Sequence, residues 1–296
     1  MSGIPTTNLR RWRWIARGAA IAALFALLPG CVNRMFYYPD NRTYRTPEAM
    51  GGAVQEVFFP TEDGVTLHGW FVPAQAEPVH GTVVHFHGNA QNLTAHSAFV
   101  DWLPGEGFNL FLFDYRGYGQ SQGRPSRKGL YLDGRAALQH VRTLPGVDPD
   151  RIAILGQSLG GTTALAVAGR HPELAGQALV IDSSFYSYRR IVKDKIALIP
   201  LLSWFRAPLA WAVISDAYSP APVLNQLAPV PVLYLHGTRD AVIPFHHSQL
   251  LYDATSEPKQ LLPIEGGAHI SGMMQQRALV VPVVRDFLIE AMHAAP

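Results

Sequence analysis

Short apolar runs alternate along most of the chain with stretches in which apolar residues return every three or four positions. Eight runs predict strands, at 54–59, 65–72, 82–86, 109–113, 151–155, 178–181, 230–235 and 260–264. The second alternates Val65, Leu67, Gly69 and Phe71 against Thr66, His68 and Trp70. Between the first two lies Glu62-Asp63-Gly64, a hairpin signature. Later runs, such as 82–86 and 109–113, are nearly continuous in apolar residues, the pattern of strands buried on both faces. Helical periods occupy 94–104, 126–144, 158–170, 246–255 and 275–292. This alternation predicts an α/β domain whose mostly parallel sheet is covered by helices on both sides, with the opening hairpin as an antiparallel edge.

Two segments break the pattern. Residues 185–220 hold the apolar stretch Ile196 to Ile214, but Pro200, Arg206 and Pro208 interrupt it. It predicts short helices forming a small cap over the C-terminal edge of the sheet, with its apolar residues as an acyl-binding wall or, with the same pattern, a structural roof. The other is the N-terminus. Gly18 to Gly30 is apolar, yet thirteen residues make only ~20 Å of helix, short of a bilayer's core. Arg10, Arg11, Arg13 and Arg17 precede it and no acid does. A basic stretch, a short apolar run and small residues at its end are the parts of a secretory signal. Leu28-Pro29-Gly30-Cys31 resembles the bacterial lipobox, although Pro29 is an unusual occupant. The resemblance implies that Cys31 is lipidated and becomes the mature N-terminus, anchoring the protein to a membrane of the bacterial cell envelope. A signal-anchor helix and an ordinary cleaved signal are the alternatives. The expected organisation is a signal at 1–30, an irregular tether at 31–53, and one domain at 54–296 with its cap at about 185–220.

Composition narrows the classes of function. Apolar residues make up 48% of the 296 and charged residues 16%, which excludes a disordered chain. Without the four N-terminal arginines, 20 bases face 22 acids, so no basic footprint for nucleic acid remains. Cys31 is the sole cysteine and rules out an intramolecular disulfide. The twelve histidines include the pairs His85/His87 and His246/His247 but no HExxH, so no metal site is expected.

The chemistry begins where the run 151–155 meets Gly156-Gln157-Ser158-Leu159-Gly160-Gly161 and a helical period follows. G-x-S-x-G between strand and helix is a nucleophile turn: its backbone is strained, and neighbours two residues away must lack a Cβ. A serine hydroxyl needs a base, and Gly266-Gly267-Ala268-His269, after the last strand, can deliver one. The histidine needs a carboxylate, which His236-Gly237-Thr238-Arg239-Asp240 supplies at the end of the preceding strand. His246, His247 and His293 compete as bases and Asp253 as the acid, but they fall within or beyond helices. Acyl transfer also needs donors for an oxyanion. The amide of Leu159 is one, and the amide of Asn89, in His87-Gly88-Asn89-Ala90 after the run 82–86, is the other.

The order Ser158, Asp240, His269 is that of the α/β-hydrolases, which the chain resembles from about 54 to 292. His87-Gly88-Asn89-Ala90, Asp114-Tyr115-Arg116-Gly117-Tyr118-Gly119-Gln120-Ser121, Gly129-Leu130-Tyr131-Leu132-Asp133 and the serine motif together resemble the branch containing the hydrolase-domain protein depalmitoylases and their bacterial relatives. The resemblance implies an eight-stranded sheet, a Ser-Asp-His triad and no cofactor. It makes Asp114 and Arg116 a structural clamp. The chain departs from the branch after His269, where Ile270-Ser271 stands in place of Asn-Asp. The expected activity is hydrolysis of a small-molecule or lipid acyl ester or thioester. A serine peptidase or amidase is the second reading, and a non-catalytic envelope binding lipoprotein the third. Serine at 158 excludes dehalogenase and epoxide-hydrolase chemistry, which need a carboxylate there.

Overall fold

The computed structural model describes residues 35–294. The signal, the lipobox and Cys31 therefore lie outside the described residues. The eight expected strands form one sheet: β2 (Gln55–Pro60), β3 (Thr66–Val72), β4 (Gly81–Phe86), β6 (Phe108–Phe113), β7 (Ile152–Gln157), β8 (Ala178–Asp182), β9 (Val232–Gly237) and β10 (Lys259–Ile264). A separate two-stranded pair joins β1 (Tyr38–Pro39) to β5 (Ala90–Gln91). The order in the large sheet is β10-β9-β8-β7-β4-β6-β3-β2. All neighbours are parallel except β3, which runs against both β2 and β6.

The continuous apolar runs keep a period of two in the structure, because alternate residues enter different cores. Ile152 and Ile154 join one core while Ala153 and Leu155 join the other; Val232 and Tyr234 divide in the same way from Leu233 and Leu235. The first core is closed by α2 (Arg127–Val141), α3 (Leu159–Arg170) and α6 (His246–Ala254). The second is closed by α1 (Leu93–Val100) and α8 (Arg277–His293), with α7 (Gly272–Gln275) beside them. Caps set several helix starts: the side chains of Asn92, Ser126 and Ser187 accept backbone N–H groups of Thr94, Gly129 and Arg190. The outer strand β10 carries Lys259, Gln260 and Pro263 and is only partly buried, as suits an edge.

The cap lies between β8 and β9. It consists of α4 (Tyr188–Ala197), a short 3-10 turn at Ser203–Phe205 and α5 (Arg206–Val213). Its apolar residues divide between the interior and the surface. Ala210, Val213 and Ile214 are buried, whereas Leu198, Leu201, Trp204, Phe205 and Trp211 are exposed. The prolines break the segment into pieces too short to cover their own apolar side chains.

The tether expected at 31–53 also differs over its described part. Tyr37 and Met50 are buried, and Phe36 packs against Phe185 and Tyr188 with ring centroids 6.0 and 5.1 Å away. Tyr38 pairs with Ala90 in β1–β5. Aromatic contact area holds this arm along the domain.

Candidate active site

The nucleophile turn forms where β7 gives way to α3. Ser158 has φ +54° and ψ −120°, outside the regions that L-residues favour. Its N–H donates to the Asp182 carbonyl (2.8 Å), and its own carbonyl accepts from Ser184 Oγ (2.9 Å). A Cβ on Gly160 would overlap the carbonyl oxygens of Phe86 and His87, so only glycine lets α3 approach β4. The turn thereby sets Ser158 against the loop after β4.

His269 reaches Ser158 from the other side. The loops after β9 and β10 are tied together by Thr238 N–H to Ile264 O (3.0 Å) and Arg239 N–H to Gly267 O (2.9 Å). These bonds bring Asp240 and His269 side by side. His269 Nε2 lies 3.0 Å from Ser158 Oγ, and His269 Nδ1 lies 2.7 Å from Asp240 Oδ2. Asp240 Oδ1 accepts the N–H groups of Val242 and Ile243 at 2.7 and 2.8 Å. Burial pushes the Asp240 carboxyl pKa up, but hydrogen bonds from His236, His269 and Ile243 outweigh it and hold the group below the ordinary carboxylate range. Asp240 is therefore ionised at neutral pH, takes the Nδ1 proton of His269 as a hydrogen bond and leaves Nε2 able to accept from Ser158.

The candidate oxyanion donors flank Ser158. Gly88 comes so near that a Cβ there would lie 3.9 Å from Ser158 Cβ. Neither the Asn89 nor the Leu159 N–H has an acceptor among the described residues. The Asn89 loop is held by its carbonyls. Tyr118 Oη–H and Tyr38 N–H both donate to Asn89 O at 2.8 Å, and Tyr115 Oη–H donates to His87 O (3.3 Å). His96 Nε2 lies 3.1 Å from Ala90 O. Asp114 accepts the Leu93 N–H (2.7 Å), fixing the start of α1 behind the loop. Arg116 binds Asp63 in the hairpin and Asp133 on α2 at 2.8–2.9 Å. The Asp114–Gly119 motif thus fastens the loop and the surrounding elements, with its tyrosines facing the site.

Some participants escaped the sequence reading. His236 is fully buried: its Nε2 donates to Ile243 O (2.8 Å) and lies 3.2 Å from Asp240 Oδ2, while its Nδ1 faces Ser248 Oγ (2.6 Å). Its one sequence signal is its place at the strand end, four residues before Asp240. Ser183, at φ +52°, accepts the Ile270 N–H (3.2 Å) and donates to Asp182 Oδ1 (2.9 Å), so β8 steadies the histidine loop. Nothing in the local sequence marked it.

The rival groups lie elsewhere. His293 contacts His80 (3.0 Å), and Asp253 is exposed on α6. His246 Nε2 is 2.8 Å from Asp194 Oδ2, and His247 Nε2 is 3.1 Å from the same oxygen in poorer alignment. This trio has the spacing of metal ligands. However, His247 Nδ1 accepts the Tyr186 N–H (3.2 Å), which leaves the ring proton on Nε2, where a metal would bind. The donor set suits a hydrogen-bonded tie between α4 and α6 better than an ion. Two cavities of about 310 and 510 Å³ lie beside α4 and α6, and Ser158 lines neither.

Comparison with known proteins agrees with this architecture. A family model described as serine aminopeptidase, S33, matches residues 77–226. The chain is 39% identical over 287 residues to the uncharacterized protein YfhR of Salmonella typhimurium, covering 93% of this chain and 92% of that one. It is 30% identical over 247 residues to the alpha/beta hydrolase domain-containing protein WAV2 of Arabidopsis thaliana, 79% of each chain. Among solved structures, an esterase of Pyrococcus furiosus shares the fold with a TM-score of 0.70 at 21% identity, over 87% of this chain and 98% of that one.

Proposed function

The chain belongs to the serine aminopeptidase S33 family of α/β-hydrolases, and we propose that it hydrolyses an acyl ester or thioester through an acyl-enzyme on Ser158. The observation that carries the proposal is the unbroken path Ser158 Oγ–His269 Nε2 (3.0 Å) and His269 Nδ1–Asp240 Oδ2 (2.7 Å). Ser158 Oγ attacks the acyl carbon as its proton passes to His269 Nε2. The oxyanion is received by the N–H groups of Leu159 and Asn89. His269 returns the proton to the leaving alcohol or thiol, and the carbon–oxygen or carbon–sulfur bond breaks. Water then attacks the acyl carbon, His269 takes its proton, and the acid departs as Ser158 regains its hydrogen. Asp240 stabilises the imidazolium in both halves.

The likeness to the depalmitoylase branch supports an acyl thioester substrate, and the lipobox-like Leu28 to Cys31 supports lipid anchoring in a bacterial envelope. A peptidase or amidase is the second reading, favoured by the family's description. The test is labelling by a fluorophosphonate of wild type and Ser158→Ala, followed by panels of acyl esters, acyl thioesters and aminoacyl anilides. Labelling of wild type alone, with turnover confined to esters and thioesters, is expected. Labelling that survives Ser158→Ala overturns the nucleophile, and turnover of anilides in preference to esters moves the chain to the second reading. For the anchor, a palmitate analogue should label wild type and not Cys31→Ala.

A further inference from the structure

The cap carries an apolar crest that the active-site chemistry does not use. Leu198, Leu201, Trp204, Phe205 and Trp211 are 75, 87, 90, 61 and 69% exposed. They come from the end of α4, the following turn and α5, three pieces that pack against one another. Soluble monomers seldom leave large apolar side chains clustered in water, and such clusters mark contact surfaces.

The charges around the crest say what kind of surface it meets. From 188 to 213 the bases are Arg189, Arg190, Lys193, Lys195 and Arg206, and the one acid is Asp194. That acid is engaged by His246 (2.8 Å), His247 (3.1 Å) and Arg190 (3.5 Å). Beyond this stretch Asp216 accepts the Arg189 N–H (2.8 Å) and Asp253 lines a cavity with Arg190, which leaves the exposed Lys195 and Arg206 as the cations beside the crest. The Arg189 guanidinium lies 5.6 Å over the Trp211 ring. Tryptophan and leucine rimmed by an excess of cations match the interface of an anionic bilayer, where rings and aliphatic chains enter the acyl boundary and cations meet phosphates.

The N-terminal arm adds an independent placement. Phe36 packs on Tyr188, the first residue of α4, and α4 is ten residues, ~15 Å, long. Cys31 is four residues before Met35 and so within ~14 Å of it. The described chain therefore begins beside the first turn of α4, at the foot of the cap that carries the crest. No described helix is long and apolar enough to cross a membrane, so the crest can lie on a bilayer but does not span one.

We propose that this crest is a docking surface for anionic lipid, inserting into the bilayer beside the N-terminal attachment and turning the cap side of the sheet, where Ser158 stands, towards the lipid. This deepens the lipid-anchored reading given above. It rests on that reading only for the position of Cys31, not for the lipid itself.

The test uses the full chain with Cys31→Ser, which removes the lipidation site. A single cysteine is placed at the crest by Leu201→Cys, or by Asp150→Cys in the exposed turn before β7, and carries an environment-sensitive fluorophore. Vesicles of phosphatidylethanolamine and phosphatidylglycerol contain doxyl-labelled acyl chains. The crest probe should shift to the blue and be quenched at least ~3-fold more than the probe at 150. Lys195→Glu with Arg206→Glu should lower the bound fraction at least ~10-fold, with the thermal unfolding profile unchanged. A crest probe that stays water-exposed while the chain is vesicle-bound overturns the proposal and leaves attachment to the N-terminal run. Failure of the chain to bind these vesicles also overturns it. So does a blue shift that needs no vesicles and grows with protein concentration, which assigns the crest to a second copy. None of these readouts depends on Ser158, so failure of the hydrolase reading would appear separately.

Discussion

Replacing Asp240 with asparagine changes one atom and should disable the base. Oδ1 of Asp240 is pinned by two backbone N–H groups, from Val242 and Ile243. An amide in the same frame keeps its oxygen there, because a turned amide would set NH2 against two donors. Its nitrogen then faces His269 Nδ1 in place of Oδ2, with His236 Nε2 also nearby. His269 can meet that nitrogen only by accepting, so its proton moves to Nε2, the atom 3.0 Å from Ser158 Oγ. The ring can no longer take the hydroxyl proton. A wrong-tautomer substitution in such a triad costs about 10⁴ in kcat, or about 5.4 kcal/mol of barrier. The backbone bonds to Oδ1 survive, so the fold should lose no more than about 2 kcal/mol. The assay is steady-state hydrolysis of a p-nitrophenyl acyl ester beside urea unfolding, with Asp182→Asn and Asp253→Asn as comparisons. A fall in kcat of less than ~10-fold for Asp240→Asn, or an equal fall for either comparison, would refute the reasoning.

Tyr118→Phe removes one of the two donors on Asn89 O and should lower kcat by ~5-fold, about 1 kcal/mol, with KM nearly unchanged; a change in KM alone would mean that the loop binds substrate without serving the transition state. Ile270 is β-branched yet sits at φ +47°, so Ile270→Asn should raise unfolding stability by about 1 kcal/mol in urea, and an unchanged or lower midpoint would contradict the strain. Burial lowers the pKa of His96 to about 3 and of His247 to about 4, and that of His85 well below its ordinary value. All three are neutral in both states above about pH 6.5. Below it the unfolded chain takes up protons that the folded chain refuses, so stability falls as the pH drops, by roughly 2 kcal/mol for His96 at pH 5, with His247 and His85 acting in the same direction. Urea midpoints that stay flat from pH 7 to pH 5 would show that these rings protonate freely in the native state.

The sheet was legible because its strands are apolar on both faces, and runs such as 152–155 can occupy no other place in a small α/β domain. Ser158, Asp240 and His269 were legible because each follows a strand at a glycine-marked turn. The supports of the site were not. Tyr118, Tyr38 and Ser183 act on carbonyls or amides 29, 51 and 87 residues away, and no local period records such a partner. His236 looked like an ordinary strand end because its role depends on the return of Ile243 and Ser248. The cap's helices were legible, but its surface was not: an apolar stretch does not record which of its side chains the fold will cover, and Leu201 and Trp204 stay exposed.

The arm before the first long strand alters where a mutation would be felt. A search for inactivating changes guided by the eight-stranded pattern would begin at residue 54 and treat what precedes it as spacer. Yet the Tyr38 N–H holds the carbonyl of Asn89, and Phe36 fills the foot of the cap. Proline at 38 would delete that donor and break no strand of the large sheet. In a random mutant library, losses of turnover in a well-folded chain should therefore cluster at 36–39 as well as around Ser158, and a truncation meant to free the domain should start before Phe36.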